Sequence, residues 1–168
     1  MKHFTPLIVS LLLLIAPLSL EAQSKVAHIN TQQLISEMPE VISAQNELKK
    51  LEEQYAKELE TSAKEFQTKA QTYQGDAQNQ TELINQQRQV ELQEMQQRIQ
   101  DFRETAAQEL QKRSAEMMRP LYEKARVAIE KVASAQGFDY VLDSSPGGSV
   151  IMASGTDLVT AVKTDLGF

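Results

Sequence analysis

The chain of 168 residues has no cysteine and two histidines, His3 and His28. Without cysteine there are no disulfides and no thiolate chemistry, so stability has to come from packing and from self-association. One histidine beyond the leader makes a zinc site improbable on chemical grounds, because such sites draw on several Cys or His ligands. An excess of basic residues is also missing. The 17 Lys and Arg stand against 23 Asp and Glu, a net charge of −6, which argues against a nucleic-acid partner and gives no electrostatic reason for membrane contact. No cofactor-binding motif is present. Pro146-Gly147-Gly148 lacks the Lys-Ser/Thr and the helix that a phosphate loop needs. Asp139 and Asp143, four apart in a strand, would stand about 13 Å from each other, too far for shared acid–base work. Ser144-Ser145 has no recognisable base nearby, and the chain reads as a non-enzyme.

The only long apolar run is at the start. Lys2 and His3 precede Leu7–Ala16, Pro17 closes the run, and Ala22 is a plausible last residue before cleavage. This predicts a secretory signal peptide over 1–22 and an exported, periplasmic protein, with Gln23 first in the mature chain. An uncleaved anchor is the alternative; the run is short of the ~20 residues a span requires.

Beyond the leader, a helical hairpin dominates. Apolar residues recur at Val41, Ala44, Leu48, Leu51, Tyr55, Leu59, Ala63, Phe66, Ala70 and Tyr73, in steps of three and four that place one stripe on a helix. The turn Gln74–Gln78 interrupts the stripe. Asn79, with Glu82 three later, reads as a capping box opening a second run through Leu83, Val90, Leu92, Met95, Ile99, Phe102, Ala106, Leu110, Met117, Leu121, Ala125, Ala128 and Val132. Gly137 is placed to stop it. The two helices would be roughly 50 Å and 85 Å long, so the end of the second must pack on something other than the first. Pro120 falls inside the second run and marks a candidate hinge, where an arm would enter a body.

Short strand-like segments flank the hairpin. Lys25–Asn30 is β-compatible, and Asn30 with Gln33 can cap a helix over Thr31–Glu37 that ends before Pro39. Phe138–Asp143 and Ser149–Ala153 read as the two arms of a β-hairpin around Ser144–Gly148. A last helix is expected over Asp157–Asp165. The expected fold class is α+β, mostly α: a single domain over 23–168, with a body from 23–43 and 120–168 and an arm over 44–119 whose tip lies near 74–80. Three short strands leave both edges open, and a two-helix arm has no closed core. Sharing the sheet between protomers repairs both defects, with Val26, His28, Val141, Val150 and Met152 as candidates for an oligomer core.

Three stretches together resemble the Skp/OmpH family of periplasmic chaperones. They are the opening Lys25-Val26-Ala27-His28-Ile29-Asn30, the closing Ala128–Asp143, and the last helix Asp157-Leu158-Val159-Thr160-Ala161-Val162. The long hairpin between them agrees in length and periodicity. The resemblance implies a homotrimer shaped like a jellyfish. Three arms hang from a small β-barrel body and hold unfolded outer-membrane β-barrel proteins in the cavity between them, without ATP. Tyr55, Phe66, Tyr73, Met95, Ile99 and Phe102 are the candidate client contacts, as adaptable Met and aromatic side chains on the arm; the seam between the two arm helices is the competing role for each. The family's arms are basic, whereas residues 60–100 here carry four basic and six acidic side chains. A structural coiled-coil spacer of the cell envelope is the second reading. It explains the arm but not why both ends fold back together.

Overall fold

The computed structural model describes residues 24–168; the leader read over 1–22 lies outside them. The first described element is strand β1, Val26–Ile29. Asn30 ends the strand and its side chain accepts from the Gln33 amide at 2.9 Å, capping helix α1, Thr31–Glu37. Gln33 does not close a capping box, because its side chain donates to Glu37 instead. Met38 stops α1, and Pro39, whose missing N–H costs nothing in a first turn, opens α2, Pro39–Asp76.

A one-turn 3-10 segment, Ala77–Asn79, leads into α3, Glu82–Ala135. The cap of α3 is Thr81, whose hydroxyl accepts from the Ile84 amide, rather than the expected Asn79. Asn79 is occupied by the Asp76 carboxylate. Helix α3 runs through Pro120 without a break, although Pro120 leaves the Glu116 carbonyl without its helical donor. At its end Gly137 adopts φ +70°, and the Phe138 amide reaches back to the Ala133 carbonyl at 3.0 Å.

The remaining elements are β2, Tyr140–Asp143, β3, Thr156–Asp157, and α4, Val159–Leu166. Here the structure corrects the expected β-hairpin. The sheet has the order β2-β1-β3 with both pairs parallel, and Ser149–Ala153 is not a strand. Parallel strands need a crossover. The whole helical hairpin is the crossover from β1 to β2, and the loop between Asp143 and Thr156 carries the chain across β1 to the other edge.

At 1.5 Å per residue, the 38 residues of α2 and 54 of α3 give about 57 Å and about 81 Å. The excess of α3 packs on the body. One cluster joins Ala27 and Ile29 of β1, Leu34, Met38 and Val41, the Ala125–Ala133 stretch of α3, and Leu158, Val159 and Val162 around α4. Ion pairs tie its rim: Lys163 to Glu37, Lys124 to Glu40 and Lys131 to Asp165. Away from this cluster, Ala44 and Ala106 are the buried residues of the hairpin among the described residues. The arm is a single seam rather than a core.

Candidate interaction surfaces

The seam brings together the arm residues singled out in the sequence. Tyr55 and Phe102 meet edge to face across it, ring centroids 5.8 Å apart at 84°. Phe66, Tyr73, Met95 and Ile99 are half-buried along the same line. Their outer edges still reach solvent. Met95, Ile99 and Phe102 border a hollow of about 420 Å³. Tyr73 and Met95 border a larger groove of about 830 Å³, whose other walls are Thr61, Thr68 and Thr72 with the charged residues Lys57, Glu60, Lys64, Glu65 and Lys69. Tyr73, Met95, Ile99 and Phe102 therefore serve the seam and line an open groove, whereas Tyr55 and Phe66 lie in the seam outside both. Nearer the tip, Leu83 and Val90 are more than half exposed, 64% and 53%.

A polar cluster fastens the tip. Tyr73 donates to Glu91 at 2.5 Å, and Lys69 pairs with the same carboxylate. Arg88 stacks over the Tyr73 ring at 4.6 Å and binds Asp76 at 3.0 Å. Gln80 and Asn79 also donate to Asp76, at 2.7 and 3.2 Å. The hydrogen bonds from Lys69 and then Tyr73 hold the Glu91 carboxyl below its ordinary range, and those from Arg88 and then Asn79 do the same for Asp76. The bond to Glu91 pushes the Tyr73 hydroxyl up. This cluster was not legible in the sequence, because its members come from both helices and depend on their relative register.

The second surface is the face of the sheet turned away from the core. In the β1–β2 register Val26 stands beside Tyr140 and His28 beside Leu142. Val26, Tyr140 and Leu142 are 44%, 60% and 47% exposed. His28 is half-buried, its Nδ1 3.1 Å from the Ser144 hydroxyl, with Asp157 of β3 as its other register neighbour. A parallel sheet with one naked apolar face is unusual, because such sheets are ordinarily covered on both sides. Of the five residues proposed for an oligomer core, Val26 and His28 lie on this open face. Val141 points the other way, onto the chain's own core beside Ile129 and Phe138. Val150 and Met152 lie in the loop, Val150 half-buried and Met152 81% exposed. The open-face pair missed in the sequence, Tyr140 and Leu142, was one position from Val141. In a strand a shift of one residue exchanges the faces.

Among the described residues no helix is long and apolar enough to cross a membrane, and no group of three or more His, Cys, Asp or Glu is placed to hold a metal ion. The family model for the outer membrane protein (OmpH-like) family matches residues 25–166, nearly all of the described chain. The chain belongs to the OmpH-like family. Its fold is similar to that of a solved Caulobacter crescentus protein described as a candidate outer membrane chaperone (OmpH-like). The TM-score is 0.77 at 18% identity, covering 86% of this chain and 85% of that one. No match was found among curated proteins. The shared fold accounts for the arm, the seam and the small parallel sheet together.

Proposed function

We propose that this OmpH-like protein is an ATP-independent periplasmic holdase. It would bind unfolded outer-membrane β-barrel proteins between its helical arms and keep them from aggregating, working as a homotrimer built on the open sheet face. The observation that carries this reading is the arm itself. It is a helix pair about 57 Å long with a half-buried seam, shallow grooves along it and no closed core. An unfolded client exposes apolar strands that would otherwise pair edge to edge. Holding the unfolded form lowers its free concentration, and many weak contacts on several arms add up by avidity. Tyr73, Met95, Ile99 and Phe102 supply those contacts through the edges they present to the two grooves, and Tyr55 and Phe66 through the exposed part of the seam.

Oligomerisation follows from the sheet. Val26, Tyr140 and Leu142 leave an apolar face that another copy can cover, with His28 at its centre. Arms that are acidic on balance make capture depend on apolar and Gln contacts. Client affinity should therefore change little between low and high salt, and a steep fall with added salt would count against this part of the reading.

The direct test dilutes a urea-unfolded outer-membrane barrel protein into buffer with and without the mature chain and follows turbidity. Suppression at near-stoichiometric trimer, without nucleotide, supports the proposal. Unchanged aggregation favours the envelope spacer.

A further inference from the structure

The open sheet face holds one side chain that does not suit an apolar interface. Val26, Tyr140 and Leu142 are partly exposed there, and His28 stands among them, level with Leu142 on one side and Asp157 on the other. It is the one histidine among the described residues, and it is half-buried before anything covers the face. Histidine is the side chain whose charge changes most readily between pH 5 and pH 8.

Few groups face this imidazole. β2 contributes Leu142 and, two positions back, the Tyr140 phenol, a group uncharged near neutral pH. β3 contributes Asp157, an exposed residue whose Oδ1 accepts from the Val159 amide at 2.9 Å. The other charged residues nearby are engaged elsewhere. Asp143 falls at an alternate strand position and is held by Thr31 and Ser145, and the Lys25 amide donates to Asp139 beyond the strand ends. The Ser144 hydroxyl, 3.1 Å from Nδ1, suits either charge state. A neutral ring can donate or accept there, and an imidazolium can donate.

Covering the face with another copy removes water from the ring. A charged imidazolium then loses its hydration against Val26, Tyr140 and Leu142, while a neutral ring keeps its bond to Ser144. Asp157 opposes this effect, because a carboxylate beside the ring favours the proton. An exposed pair of that kind is weak, and the cost of taking an ion out of water outweighs it. The assembled body therefore binds fewer protons at His28 than the separate chains do. Assembly is then fully present above the titration range of an imidazole, about pH 6.5 in water, and is lost as pH falls through it.

We infer that His28 makes the oligomer pH-sensitive, holding the copies together when neutral and loosening them when protonated. This rests on the oligomer proposed above and names how it is regulated. Separated copies also lose the avidity of several arms, so mild acid would release a bound client.

The test measures the concentration at half-assembly by light scattering on a dilution series of the mature chain at pH 7.5 and at pH 5.5. This window lies above the ordinary carboxylate range. The wild-type value should rise about tenfold or more on going to pH 5.5. His28→Leu should assemble at least as well as the wild type at pH 7.5 and change by less than about twofold between the two pH values. His28→Asn, which keeps a hydrogen-bonding group for Ser144 but does not titrate, should also be flat, and this separates titration from packing. Circular dichroism on each variant checks that the helices are intact. A wild-type value equal at both pH values, tighter assembly at pH 5.5, or a pH dependence that survives in both variants overturns the inference and leaves the oligomer standing. A chain monomeric at every concentration at pH 7.5 removes the oligomer and the inference together. Client turbidity at pH 7.5 reports separately on holdase activity.

Discussion

The Tyr55–Phe102 pair separates the two roles of the arm's aromatic residues. The rings meet edge to face at 5.8 Å, an arrangement worth about 0.5–1.5 kcal/mol beyond the area it buries. Replacing either ring with Leu keeps an apolar side chain in the seam and removes the ring–ring term. Tyr55→Leu and Phe102→Leu should each lower stability by about 1 kcal/mol. The double variant should lose about 1 kcal/mol less than the sum of the singles, because the pair can be lost only once. The assay is urea unfolding at one fixed protomer concentration, since oligomer stability depends on concentration. Client capture by Phe102→Leu should weaken only modestly, because its outer edge contributes one contact among many. A coupling below about 0.3 kcal/mol, within ordinary additivity, together with a large loss of capture, would refute the seam assignment and make these rings dedicated client contacts.

Three further outcomes follow from the geometry. Leu34 is fully buried at the centre of the body, so Leu34→Ala should cost about 2–5 kcal/mol in urea unfolding with an unchanged denaturant slope, and a loss under about 1 kcal/mol would contradict the core described. The carboxyls of Asp76 and Glu91 titrate below their ordinary 3.8 and 4.5, so the stability they lend the tip is present above those values and is lost as pH falls through the lowered ones. Protection of the amides in residues 70–92, taken against the intrinsic exchange rate at each pH, should fall between about pH 5 and pH 3, and Glu91→Gln should flatten that dependence. Pro120 sits in an unbroken helix at the cost of one backbone hydrogen bond, so Pro120→Ala should raise stability by about 1–3 kcal/mol, and a variant no more stable than the parent would show that the neighbouring structure is adapted to the proline.

Much of this architecture was legible because long amphipathic helices announce themselves. The stripe from Val41 to Tyr73 and its continuation from Leu83 to Val132 match α2 and α3, and Asn30, Pro39 and Gly137 mark ends by chemistry that is local to each residue. The β-part was legible only where strands were long enough to show a pattern. β3 is two residues, Thr156-Asp157, and no periodicity can reveal it. Ser149–Ala153 carries a stronger strand signal than β3 does, yet β3 takes the place beside β1 because Leu158, Val159 and Val162 behind it fill the core. Tertiary burial outranked local propensity there. At the candidate site, the apolar arm residues were visible one by one, but the pairing of Tyr55 with Phe102 and the convergence of Lys69, Tyr73, Asp76, Arg88 and Glu91 depend on how two helices are offset. That offset is set by the length of the tip turn and by the body, and no single segment encodes it.

Light scattering coupled to gel filtration tests the holdase most directly, run on the mature chain alone and again with a urea-diluted outer-membrane barrel protein. The expected result is an oligomer of about three protomers that carries the client in a soluble, defined complex of higher mass. A monomer at all concentrations, or an oligomer that elutes alone while the client precipitates, would contradict it.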